Sequence, residues 1–97
     1  MTSNPQANPE TVEDEASFLT FVRTLAADRR LAAKIEGNSP DGYEAPRGWQ
    51  NATIEQFLDS ALSWADDTEF GRTQGLADNV SPWRRLAVFL KAGKIYE

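Results

Sequence analysis

The run Gly48–Trp49–Gln50–Asn51–Ala52–Thr53–Ile54–Glu55–Gln56–Phe57–Leu58 constrains the fold more than any other stretch of the chain. Thr53 and Gln56 stand in the register of a capping box, in which the hydroxyl accepts from the third helical amide and the glutamine reaches back toward the cap. A helix is therefore expected to start at residue 53. Beyond it, Ile54, Phe57, Leu58, Ala61, Leu62 and Ala65 recur at offsets of 0, 3, 4, 7, 8 and 11, which places them on one stripe of a 3.6-residue helix. The whole stripe is expected to be buried, and the helix to end at Asp66 or Asp67.

Two further helices follow from the same reasoning. Thr11 and Asp14 resemble a capping signal, and Phe18, Phe21, Val22 and Leu25 form an apolar face that Leu31 and Ile35 extend. Gly37–Asn38 followed by Pro40 supplies a stop, so the first helix is predicted over residues 12–36. Ser81 followed by Pro82 is a start signal, because proline at the first helical position lacks only an amide hydrogen that would have gone unpaired. Trp83, Leu86, Ala87 and Leu90 make the third stripe, with Gly93 fitting the residue just past the helix end. Lys94–Ile95–Tyr96–Glu97 is expected to dock as an extended tail or to form a short edge strand.

The predicted fold class is mainly α: a single small domain of three helices over residues 12–97, with long loops and room for a short β element near the C-terminus. Residues 1–11 are polar and contain Pro5 and Pro9, so they are expected to be a flexible tail. The loops 37–52 and 68–80 carry Tyr43, Trp49, Phe70 and Leu76, whose apolar bodies favour packing over disorder. A chain of 97 residues supports one core, since only about 60–70% of its unfolded surface is buried on folding.

Composition narrows the chemistry. Cysteine and histidine are both absent, which removes thiol chemistry, the usual zinc ligands and the commonest general base near neutral pH. A formal net charge of −5 makes nucleic acid an unsuitable default partner. No stretch approaches the roughly 20 apolar residues of a membrane helix, and the start of the chain lacks the basic and apolar regions of a signal peptide. A cytoplasmic protein with no membrane partner and no cofactor is expected.

Three fragments together resemble a known group: Trp49–Gln50–Asn51 leading into Thr53–Ile54–Glu55–Gln56–Phe57–Leu58, Trp64 followed by acids, and Trp83–Arg84–Arg85 through to Tyr96–Glu97. Over about residues 15–97 the chain is similar to a family of small, mostly bacterial proteins known as a domain of unknown function, with a Trp-x-Asn-x-Thr helix start and a Tyr-Glu ending. The resemblance implies a free-standing domain and carries no reaction, cofactor or catalytic residue.

Candidate sites follow from the side chains that remain. Large rings first serve to fill the core of a small domain. Trp49, in a loop between Gly48 and Gln50, is the tryptophan most readily assigned to a surface, and sequence leaves core and surface open for it. Asp59, Asp66, Asp67, Glu69 and Asp78 read as a solvated acidic face. They match no calcium loop, although Asp66, Asp67 and Glu69 are the residues a divalent cation would use. Asp66 and Asp67 stand at the negative pole of a helix dipole, with Arg72 the nearest compensating charge. Arg84, Arg85, Lys91 and Lys94 are expected to balance the acids of helix two.

The function expected from these features is a small soluble, non-catalytic protein–protein interaction or regulatory module, in one form immunity-like. Its partner is another protein, and its contact surface takes in Tyr43, Trp49, Phe70, Arg84 and Arg85. The alternative is a carboxylate- or divalent-metal-dependent enzyme or enzyme subunit.

Overall fold

Asp14, Thr53 and Ser81 each stop an extended segment and start a helix, because a short polar side chain there accepts from an amide that the first turn leaves unpaired. The helices are α1 (Glu15–Asn38), α2 (Ile54–Asp67) and α3 (Pro82–Ile95) in a computed structural model that describes residues 7–38 and 46–96. At α1 the Ser17 amide donates to Asp14 Oδ1 at 2.9 Å, so Asp14 is the cap and Thr11 lies in a preceding 3₁₀ turn. Asp14 is held below its ordinary carboxyl pKa by the Ser17 amide and then by the Ser17 hydroxyl. At α2 the Gln56 amide donates to Thr53 Oγ1 at 3.1 Å, while Gln56 Oε1 accepts from the Ala52 amide at 3.2 Å. The capping box is thus present with its return bond one residue before the cap.

The domain is mainly α, and no strand occurs among the described residues. Two expectations for the C-terminus are corrected. α3 runs through Gly93 to Ile95 instead of stopping there, and the short β element is replaced by the last turn of α3. The physical reason is at Gly93, where an added Cβ would lie 2.9 Å from Phe57 Cε2, Cζ and backbone O. Glycine here permits close approach of α3 to α2. It does not terminate the helix.

Residues 7–11 also differ from the expected tail. Ala7 is buried, Pro9–Thr11 form a 3₁₀ turn, and Val12 is fully buried. The segment is tied down by cations of α3: Arg84 Nε donates to Val12 O at 2.9 Å and Lys91 Nζ to Ala7 O at 2.8 Å.

Two apolar clusters hold the helices. The first gathers Val12, Phe21, Leu25, Trp49 and Ala87, with Phe18, Val22, Phe57, Trp83 and Leu90 packed against it. In the second, the Phe70 ring centre lies 5.4 Å from that of Trp64 and 5.6 Å from that of Phe89. Residues 68–71 close this cluster. The Thr68 hydroxyl donates to Trp64 O at 2.6 Å and accepts from the Gly71 amide at 2.7 Å. Among the described residues no helix is long and apolar enough to cross a membrane.

Candidate functional site

The first cluster is organised by a charge. Asp28 sits on α1 seven residues after Phe21 and four before Ala32, a core-facing position, and is only 1% exposed. A carboxylate so placed is tolerated only when its oxygens are fully bonded. Arg47 Nε donates to Oδ1, while Trp49 Nε1 at 3.0 Å and Lys94 Nζ at 2.6 Å donate to Oδ2. Burial pushes the Asp28 carboxyl up. The bonds from Lys94 and Arg47, the Lys94 charge and the Trp49 bond outweigh it and bring the pKa below its ordinary value. Arg47 reaches Asp28 from a left-handed backbone, φ 56° and ψ 23°, a conformation that costs about 1–2 kcal/mol in a residue with a Cβ.

This arrangement corrects the placement of Trp49. The ring is 6% exposed, stacks on Phe57 at 6.1 Å and carries the Lys94 ammonium 5.4 Å from its centre. It belongs to the core. The next alternate residues of the same segment also have structural tasks. Asn51 Nδ2 donates to the carbonyls of Gly93 and Tyr96, each at 3.0 Å, which satisfies orphan acceptors at the end of α3. Thr53 caps α2.

The other described candidate residues are engaged within the fold. Tyr43 lies outside the described residues. Phe70 is half-buried, and the Arg85 guanidinium lies 4.9 Å over its ring. Arg84 is committed to Val12 O elsewhere. The α3 cations do not balance α2 as expected: Lys94 pairs with Asp28 of α1, and Arg84 and Lys91 bind backbone carbonyls. Arg72 pairs with Asp78, leaving Asp67 to accept from the Tyr96 hydroxyl at 2.6 Å. That bond, with burial and the Asp67 charge behind it, holds the Tyr96 hydroxyl above its ordinary pKa. Among the described residues no three acids converge in a way that would hold a metal ion, so Asp66, Asp67 and Glu69 give the divalent-cation alternative no geometry.

The feature missed from sequence lies on α2. Phe57, Ala61 and Trp64 turn inward, but Ile54 is 77% exposed, Leu58 48% and Leu62 55%. These three stand at successive i, i+4 positions and form an outward apolar row, so the predicted stripe is only partly covered: Ala61 is buried, and Phe57 and Ala65 are half-buried. Glu55, Asp59 and Asp66 run along the outer side of that row, all exposed. α2 contains no basic residue, and no ion pair engages these three acids among the described residues. At its N-terminal end the row meets an apolar groove of about 340 Å³ between α1 and α2, floored by Leu25, Trp49, Phe57 and Leu90, with Ile54 at its edge.

Fold and surface together define a small three-helix domain with an apolar, acid-bordered helix face. The chain belongs to a family of unknown function, DUF7660, whose model matches residues 14–97. No curated protein and no solved structure matches it.

Proposed function

We propose that the domain is a small cytoplasmic protein-binding module whose contact surface is the outer face of α2, and that its partner presents an amphipathic helix with an apolar ridge bordered by lysine or arginine. The exposed row Ile54, Leu58 and Leu62 carries this reading. An i, i+4, i+8 apolar row is the pattern by which one helix docks on another. The unpaired row Glu55, Asp59 and Asp66 selects a basic border on the partner, since like charge placed opposite it would cost several kcal/mol. The adjoining groove offers a pocket for one large apolar anchor, the kind of residue that dominates such contacts. A basic toxin neutralised by an acidic immunity-like protein would meet this description. The proposal itself requires only the basic helix.

The test is an NMR titration of the labelled domain with a designed helical peptide carrying leucine at i, i+4 and i+8 and a flanking row of lysines, beside a copy with glutamates in place of the lysines. The lysine peptide should shift amides of residues 54–66 and bind at least tenfold more tightly than the glutamate copy. A Leu58→Ser, Leu62→Ser double variant should lose that binding while keeping its fold. Equal binding of the two peptides, or shifts confined to another face, would overturn the reading.

A further inference from the structure

A second cavity lies away from α2. Ala7, Asn8 and Pro9 on one side and Asp28, Arg47, Lys91 and Lys94 on the other enclose a cleft of about 470 Å³, within the size range of small-molecule sites. Its wall is strongly cationic for a chain whose net charge is −5. The one carboxylate in it, Asp28, is already shared by Arg47 and Lys94.

Lys91 is the residue left over. It is half-buried, and its ammonium donates to Ala7 O at 2.8 Å, but it makes no ion pair among the described residues. Burial and the neighbouring Lys94 charge push its pKa down, and Asp28 offsets them only in part. A half-buried cation beside a second cation is unfavourable by itself and is relieved by an anion close to both. An ammonium has three N–H donors. One each is used by Lys91 and Lys94 toward Ala7 O and Asp28 Oδ2. The remaining donors suit an acceptor with several oxygens.

We infer that this cleft is an anion site for the phosphate group of a small molecule, with Lys91 as its principal ligand and Lys94, oriented by Asp28, as the second. Lysine binds phosphate as a point charge and does not require the fork geometry of arginine. The cleft is larger than a bare phosphate needs, which favours a phosphomonoester over the free ion. Binding raises the Lys91 pKa, so affinity falls as pH rises through the Lys91 pKa of the free protein; it falls on the acid side too, as the phosphate takes up its second proton near about pH 6.

The experiment is calorimetric and NMR titration of the full chain with inorganic phosphate and with glycerol 3-phosphate, at constant ionic strength set by sodium chloride. Saturable binding is expected for glycerol 3-phosphate, with amide shifts at Ala7, Asn8, Lys91 and Lys94. Lys91→Met should weaken it at least tenfold, and Lys91→Arg should keep it within about threefold. Substituting the exposed Lys34 by Met should leave it unchanged. Phosphate binding without binding of the ester overturns the assignment to a phosphomonoester. Absence of saturation with both, or equal weakening by Lys34→Met and Lys91→Met, overturns the inference. The Leu58→Ser, Leu62→Ser variant should bind glycerol 3-phosphate normally, which separates this site from the α2 face.

Discussion

Replacing Asp28 by Asn probes the internal logic of the fold. The amide keeps the size of the carboxylate and one acceptor, but turns an N–H toward Lys94 or Arg47 and removes the negative charge they share. Lys94 is 8% exposed and would be left as a buried ammonium without a counter-charge. Removing one member of a buried pair typically costs about 3–5 kcal/mol. A domain of this length has roughly 5–15 kcal/mol in total, so Asp28→Asn should lose a large share of it and lower the thermal midpoint by about 15–30 °C. Urea unfolding followed by tryptophan fluorescence measures this, because Trp49 is itself bonded to Asp28. An Asp28→Asn, Lys94→Met double variant should recover part of the loss, since it removes the more deeply buried of the two cations that Asp28 neutralises, while Arg47 keeps its charge. The sign with pH is fixed. The folded pKa of Asp28 lies below its ordinary 3.8, so its contribution is complete above that value and is lost as pH falls through the folded pKa. A loss below about 1 kcal/mol at neutral pH, or no recovery in the double variant, would refute the reasoning, given the magnitude expected of a broken buried pair.

Three other substitutions test separate parts of the account. Gly93→Ala gains up to about 1 kcal/mol of helix propensity but drives a methyl into Phe57 and its backbone oxygen, so a net loss of about 1–2 kcal/mol is expected in the same urea assay. Glu69 holds φ 52° with an exposed side chain, and Glu69→Gly should raise stability by about 0.5–1 kcal/mol by relieving that left-handed strain. Leu58→Ser and Leu62→Ser should each change stability by less than about 1 kcal/mol, because neither side chain is in the core; a larger loss would show that the outer face of α2 is covered.

The helix starts were legible because caps are local: Thr53 with Gln56, and Ser81 with Pro82, act within one turn of themselves. The end of α3 was not, because Gly93 is required by Phe57, a residue 36 positions earlier. Asp28 did leave a signal. It falls in the line Phe21, Leu25, Ala32, where a lone acid at a core position implies buried donors. Those donors come from a loop and from α3, so their identity could not be read locally. The exposed row on α2 had a signal too. Its apolar residues span an arc of roughly 160° at 100° per residue, wider than one neighbouring helix covers. Periodicity marked every residue in that arc as apolar and gave no means of telling its inner half from its outer half. The place of Trp49 stayed open in the sequence because loops are normally superficial while large rings fill cores; the bond to Asp28 draws this loop inward.

The most direct test of the α2 face is a charge exchange. Glu55, Asp59 and Asp66 would all be replaced by lysine, and the affinities of both forms of the domain measured for the lysine-bordered and glutamate-bordered peptides. The account predicts that the native domain prefers the lysine peptide, that the variant prefers the glutamate peptide, and that the two matched pairs agree within about tenfold. Affinity that ignores the sign of either row, or is lost in every combination with the variant, would contradict it.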